Sequence, residues 1–162
     1  MQTDVRTVNA LGALACALLM AYALYAQHVL GLEPCPLCIF QRVAVIALGV
    51  VFLAAAVHHP GRRGRWGYVL LLVLAAGAGA GVAGRHLWLQ SLPPERVPAC
   101  GPGLDYMLEA FPFTEVLQTV LSGSGECAQV DWHFLGLAMP GWVLLCVLVL
   151  GLAGVWNNLR RA

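Results

Sequence analysis

The sequence contains no lysine; all nine of its basic residues are arginine. Charge of either sign is scarce, at 10% of the 162 residues, against about 25% in an ordinary soluble domain. That scarcity excludes a soluble globular enzyme, whose surface needs far more charge. Nine arginines meet eight acids for a net charge of +1, so the basic excess of a nucleic-acid binder is missing. The one GxGxxG, Gly79 to Gly84, lies inside an apolar stretch of span length rather than after a strand, so the usual fingerprint of a flavin or dinucleotide enzyme is missing, and there is no internal repeat of useful length. What the chain does have is apolar residues, 60% of the total. A disordered chain is less apolar and more charged. The class that remains is an integral membrane protein.

Four apolar stretches are read directly, at about 8–26, 39–57, 66–89 and 140–156. Each has the length of a helix crossing a ~30 Å hydrocarbon core, and backbone in lipid must satisfy its own hydrogen bonds, so each is expected to be a helix. The first run exceeds the 7–15 apolar residues usual in a cleaved secretory signal and is read as a retained span. The expected fold is therefore all-α: one membrane domain over 1–162, a four-helix transmembrane bundle. Arginine placement sets its orientation. Arg6, the short connection with Arg62, Arg63 and Arg65, and the tail with Arg160 and Arg161 are assigned to the cytoplasm. The connections at about 27–38 and 90–139 then fall outside, with seven of the eight acids. Within the third span, Gly77 and Gly81 form a GxxxG pair, which predicts close helix packing.

The long outer connection carries Pro93, Pro94 and Pro98, which exclude a regular helix there. Further on, Phe113, Val116, Leu117, Val120 and Leu121 recur on one helical face, with Pro112 as a start signal. A helix of about nine residues is too short to span and is expected to lie in the membrane interface. Ser122–Gly125 reads as a flexible hinge.

Of six cysteines, Cys16 and Cys146 fall inside spans and read as small packing residues. The other four lie on the outer side, which in a bacterium is oxidising and preserves disulfides. Cys35-Pro36-Leu37-Cys38 is a CxxC where the second span begins, so a helix N-terminus favours its thiolates. Arg42, four residues past Cys38, shares that helical face; an arginine at the edge of hydrocarbon is a functional candidate, for stabilising a thiolate or holding an anionic reduced species. Cys100 and Cys127 form the second pair. As a structural staple of a loop of about 27 residues they would contribute roughly 3.5 kcal/mol. The following reading competes with that one: a hinge-borne Cys127 leaves Cys100 and attacks the CxxC by thiol–disulfide exchange. Electrons reaching a CxxC at the hydrocarbon boundary need a lipid-soluble acceptor, and a quinone fits. No metal centre is assigned. His28, His58, His59 and His133 read as interfacial polar residues.

Three segments carry a family resemblance: Gln27-His28-Val29, the run from Cys35 through Cys38-Ile-Phe-Gln41-Arg42, and Cys127 through Trp132, Phe134, Gly136, Met139, Pro140 and Trp142. Together with four spans and two ordered cysteine pairs, they resemble the DsbB disulfide bond formation proteins of bacterial inner membranes over essentially the whole chain. The resemblance implies a quinone-dependent thiol:disulfide oxidoreductase that reoxidises DsbA, the periplasmic thiol oxidase. It implies that Cys100 takes the mixed disulfide with that partner and that the freed Cys127 attacks Cys35. Cys38 is then the thiolate that reacts with ubiquinone (menaquinone being the alternative), supported by Arg42. His86 matches a family histidine near the quinone, although the Arg85-His86 context departs from the pattern. The implied setting is a multi-pass protein in a bilayer with both termini cytoplasmic and its cysteine pairs periplasmic, drawing on the membrane quinone pool and binding no nucleic acid. Two other readings stand beside it. One is a vitamin K epoxide reductase-like oxidoreductase, opposed by the order of the pairs, since there the loop pair usually comes first. The other is a non-enzymatic membrane protein holding zinc through its four outer cysteines.

Overall fold

The computed structural model describes residues 5–58, 60–99, 104–130 and 132–160. In chain order the elements are α1 (Val5–His28), α2 (Pro36–His58), α3 (Arg62–Gln90), a 3-10 turn (Pro94–Arg96), and the short helices α4 (Leu104–Ala110), α5 (Phe113–Ser122) and α6 (Gly125–Ala128). A hairpin of β1 (His133–Phe134) and β2 (Leu137–Ala138) leads into α7 (Met139–Leu159).

The four long helices, α1, α2, α3 and α7, are long and apolar enough to cross a membrane. The shortest has 21 residues, about 32 Å at 1.5 Å per residue. They run up and down as a bundle in which α1 packs on α2, α2 on α3 and α3 on α7, while the α1–α7 contact is lean. Their outward rows, such as Leu11, Leu14 and Leu18 on α1 and Val43, Ile46, Val50 and Leu53 on α2, are exposed. Such a continuous apolar belt has no place in water and matches hydrocarbon. The fold is the expected all-α membrane bundle, each helix running a little beyond its apolar stretch.

In lipid, helices associate through close packing rather than through the hydrophobic effect. The centre of the bundle is Phe52 of α2, fully buried. A Cβ added to Gly12 of α1 would lie 2.8 Å from its ring, and one on Gly154 of α7 would lie 2.6 Å from it. Two glycines thus open the space one aromatic fills. The expected GxxxG pair is not where α3 packs. Gly77 and Gly81 are exposed, with no atom within 4 Å of an added Cβ. The contact glycine is Gly79, whose added Cβ would sit 3.2 Å from both Ala44 of α2 and Val147 of α7. Two residues turn a helix by about 200°, so Gly79 faces away from its neighbours in the motif. The buried stripe of α3 is Val69, Leu72, Ala76, Gly79, Ala83 and His86, spaced alternately by three and four.

The long connection between α3 and α7 folds back onto the bundle. The α5 helix appears where the apolar period placed it, with Pro112 at its N-cap. Its Val116 and Val120 are buried with Leu37, Leu89, Met107 and Cys127, whereas Phe113 and Leu121 stay exposed. Part of the face expected to meet the membrane is therefore taken by protein. The Ser122–Gly125 segment is a packed turn rather than a loose hinge. Gly123 adopts φ +88, and its α-carbon side is filled by Leu89. The Gly125 N–H donates to the Ala99 carbonyl at 3.2 Å.

Candidate functional site

The α2 N-terminus builds the first part of the site. Pro36 opens the helix, where a missing N–H costs nothing and φ is preset. Cys35 occupies the capping position before it. Its Sγ accepts the Cys38 N–H at 3.4 Å, and its carbonyl accepts the Ile39 N–H at 3.2 Å. The sulfur thus takes the place of a capping oxygen on an otherwise unpaired N–H. Both cysteines are free thiols, with the Cys35 Sγ donating to the Cys38 Sγ at 3.2 Å.

The second part comes from α3. The His86 ring is buried near the C-terminal end of the small-residue stripe and stands against both thiols. Its Nε2 lies 3.8 Å from the Cys35 Sγ and its Nδ1 4.0 Å from the Cys38 Sγ. The buried Gln41 amide meets Nδ1 at 3.1 Å and fixes the ring. The three ligand-type atoms of Cys35, Cys38 and His86 all lie within 4.8 Å of one another.

The third part is Cys127, which α6 delivers from the connection between α3 and α7. It is buried above the start of α2, with the Ser124 hydroxyl 3.6 Å from its Sγ. Its thiol is held well above the ordinary thiol range, first by a hydrogen bond with the Cys35 thiol and then by burial, with the Leu37 N–H and Ser124 opposing. The start of α2 and the fold-back of α6 therefore bring Cys127 into the buried cluster against which Cys35, the member of the CxxC farther from Arg42 in sequence, packs.

Arg42 takes a direction that helix spacing did not reveal. Its guanidinium donates to the Gln27 Oε1 and, at 3.1 Å, to the Ala23 carbonyl, both on α1. It nonetheless lines the same cavity as Cys38. That cavity, of about 1060 Å³, lies at the Cys35 end of the bundle among α1, α2, α3 and α7. Its walls combine apolar Leu19, Met20 and Val143 with polar Gln27, Gln41, Arg42 and His86. Aromatic rings edge it: Tyr22 meets Trp132 at 6.3 Å, Trp132 stacks on Phe134 at 6.0 Å, and the Trp142 N–H donates to the Phe134 carbonyl at 3.0 Å.

The structure thus gathers Cys35, Cys38, Cys127 and His86, and sets Arg42 in the adjoining wall. Cys100 lies outside the described residues, as does His59. Cys16 is buried core, as expected, while Cys146 is half-buried on the cavity wall. His58 bonds the Tyr68 hydroxyl at 2.9 Å at the opposite end of the bundle, and His133 is exposed. Sequence reasoning gave Gln27 and Gln41 no role. The only signal was a pair of glutamines within motifs rich in site residues.

A family profile described as "Disulfide bond formation protein DsbB" matches residues 5–157. The chain is similar to proteins named "Disulfide bond formation protein B": 56% identical to that of Methylococcus capsulatus, with 96% of each chain covered. It is 55% identical to that of Nitrosococcus oceani (97% of this chain, 93% of the relative) and 51% to that of Acinetobacter baumannii (99% and 94%).

Proposed function

The chain belongs to the DsbB family of disulfide bond formation proteins, and on that premise we propose that it reoxidises a DsbA-like periplasmic thiol oxidase and passes the electrons to a membrane quinone. The observation that carries this reading is the packing of Cys35 against the buried cluster that holds Cys127, beside a cavity that Cys35 and Cys38 both line. The electrons balance in three exchanges. A partner dithiolate attacks the Cys100–Cys127 disulfide at Cys100, and the second partner thiol closes the partner's disulfide, leaving Cys100 and Cys127 reduced. Cys127 then attacks Cys35 of the oxidised CxxC and expels Cys38 as thiolate; Cys100 resolves that bond, so the loop disulfide reforms and Cys35 and Cys38 end reduced. The two electrons and two protons leave from the CxxC.

The cavity fits a quinone: it has room for a substituted ring, apolar walls and a few converging polar groups. When bound, a quinone supplies a two-electron, two-proton acceptor. Arg42, pinned by Gln27, presents a fixed positive charge to an oxygen acquiring charge. His86 presents Nε2 to the Cys35 Sγ at 3.8 Å, and with the Gln41 amide turned so that its carbonyl accepts the Nδ1–H, that Nε2 can take the Cys35 proton. The aromatic rim gives a planar ring something to stack on.

The orientation proposed is the inner membrane of a bacterium with both termini cytoplasmic and the cysteines periplasmic. Its support is that Arg6, Arg62, Arg63, Arg65 and Arg160 stand at the bundle end opposite Cys35 and Cys38. The test is oxidation of a reduced DsbA-like protein by the purified chain with ubiquinone, followed by quinone absorbance. One quinone consumed per partner dithiol is expected, with turnover lost on Cys→Ser at Cys35, Cys38, Cys100 or Cys127. Full partner oxidation by Cys100→Ser would overturn the relay order.

A further inference from the structure

We propose that the dithiol state of this protein carries a binding site for a thiophilic divalent cation of the zinc class, formed by Cys35, Cys38 and His86, and that closing the Cys35–Cys38 disulfide destroys it. Two thiolates and an imidazole are the donors such an ion selects. With bonds of about 2.3 Å to sulfur and 2.0–2.1 Å to nitrogen, tetrahedral ligand atoms stand about 3.5–3.8 Å apart. The Cys35 Sγ and His86 Nε2, at 3.8 Å, need to close by only about a quarter of an ångström to reach the sulfur–nitrogen end of that range. The two sulfurs, at 3.2 Å, need to part by about half an ångström.

The surroundings suit the ion as well. Rotating the Gln41 amide by 180° presents its carbonyl oxygen to an Nδ1–H of His86, since the two ends of an amide are of similar size. That leaves the Nε2 lone pair facing Cys35. An outer partner fixing a ligating histidine in this way is the usual support of a metal site. Two thiolates at the hydrocarbon boundary are costly alone, whereas a dication makes the group neutral, with two thiol protons released. Cys35, Cys38 and His86 all border the cavity, so an ion has a route in and a fourth position for water. A disulfide offers neither thiolate, which makes binding conditional on the redox state. A bound ion holds the CxxC reduced and removes Cys38 from chemistry. The inference uses only the dithiol geometry, so it stands or falls separately from the relay proposed above.

The experiment is titration of the reduced full-length protein, in detergent micelles, with Co²⁺ as an optical substitute for Zn²⁺. The expected result is one Co²⁺ per chain, with thiolate-to-cobalt charge transfer and tetrahedral ligand-field bands that Zn²⁺ then bleaches. The same protein with its CxxC oxidised should show neither band, a comparison that needs no variant to fold. Cys38→Ser should lose the charge-transfer intensity, His86→Ala should bind at least about tenfold more weakly, and Cys16→Ala should match the parent protein. Absence of the charge-transfer band in the reduced protein, or its survival at full strength in Cys38→Ser, overturns the proposal. Failure of the quinone assay with a normal cobalt titration would remove the relay and leave the site.

Discussion

A buried thiol that is hydrogen bonded to a second thiol resists ionisation, and Cys127 is in that position in the reduced protein. Each pH unit by which a thiol's pKa rises removes about tenfold of its thiolate at neutral pH. Cys127 should therefore react with iodoacetamide near pH 7 at least about tenfold more slowly than an unhindered cysteine, as followed by mass spectrometry of the reduced chain. The sign of the linked stability is fixed too. The folded pKa is raised, so the protonated form favours docking of α6. That contribution is complete below the ordinary thiol range and is lost as pH rises through the folded value. Hydrogen exchange across α6 should accelerate at alkaline pH more than exchange in α5. Gln41 offers a second residue-scale test. Gln41→Leu leaves the buried His86 Nδ1 without its partner, a loss of about 1–3 kcal/mol, and quinone-linked turnover should fall. Gln41→Glu keeps a partner and should instead shift the pH–rate profile. The cysteines, His86 and Arg42 were legible because such residues are rare in an apolar chain. Gln41 was not, since a glutamine beside an arginine at a helix end reads as a polar interface residue. Nor was the reach of Arg42 to α1, because helical spacing places a Cβ and leaves a long side chain free to go elsewhere.

At the scale of elements, the delivery of Cys127 depends on how α5 ends. The Arg85 Nε and Nη2 donate to the Leu121 and Ser122 carbonyls at 2.9 and 2.8 Å, and its guanidinium lies 4.1 Å over the Trp88 ring. Those carbonyls are the unpaired acceptors of a helix C-terminus, where a cation is also favoured. Gly123 then turns the chain at a φ that side chains avoid, against Leu89. So α3 supplies both His86 for the dithiol and, one residue earlier, the clamp for the segment bearing Cys127. Arg85→Ala should raise hydrogen exchange over α5 and α6, by the about 1.5–3 kcal/mol typical of bonds to charged groups, with little change within the four long helices. Gly123→Ala should destabilise the same segment by more than about 1 kcal/mol through its backbone conformation and slow the Cys127 attack on Cys35. The period of α5 was readable from five apolar residues. The hairpin was not, because its turn places Leu135 at φ 50 and Gly136 at φ 81. A leucine there lacks the Asn or Gly signal that such a turn ordinarily displays. The Ser-Gly-Ser-Gly composition pointed to a loose linker, but composition does not report that Leu89 fills the space beside it.

For the whole molecule, the lean α1–α7 seam is pinned at one end and open at the other. Asn9 and Asn158 are buried and exchange amide hydrogen bonds, the Asn158 Nδ2 reaching the Asn9 Oδ1 at 3.1 Å, and the Asn157 amide donates to the Val5 carbonyl at 3.1 Å. Polar pairs of this kind hold helices together in lipid. At the other end the same two helices part around the cavity. The number and approximate extent of the four long helices followed from hydropathy, because lipid leaves the backbone no alternative. Which face of each helix turns inward did not follow, because inward and outward faces are equally apolar and the usual amphipathic contrast is missing. That is why Gly77 and Gly81 misled and Gly79 was passed over. The buried stripe of α3 carries Gly79 and, two turns on, His86, so bundle packing and site geometry share one helix face. Gly79→Leu forces α3 away from Ala44 and Val147, and the displacement carries along the rigid helix to the His86 ring. It should lower the thermal midpoint by several degrees, in line with the roughly 1–3 kcal/mol of overpacking, and should also reduce quinone-linked turnover of the molecules that remain folded. Gly77→Leu adds the same side chain to the same helix but directs it outward, where nothing stands within 4 Å. It should leave both quantities near those of the parent protein. Measuring the two variants side by side, by thermal unfolding in one detergent and by turnover per folded molecule, separates the face that builds the site from the face that meets lipid; equal damage from both would refute the assignment of the seam.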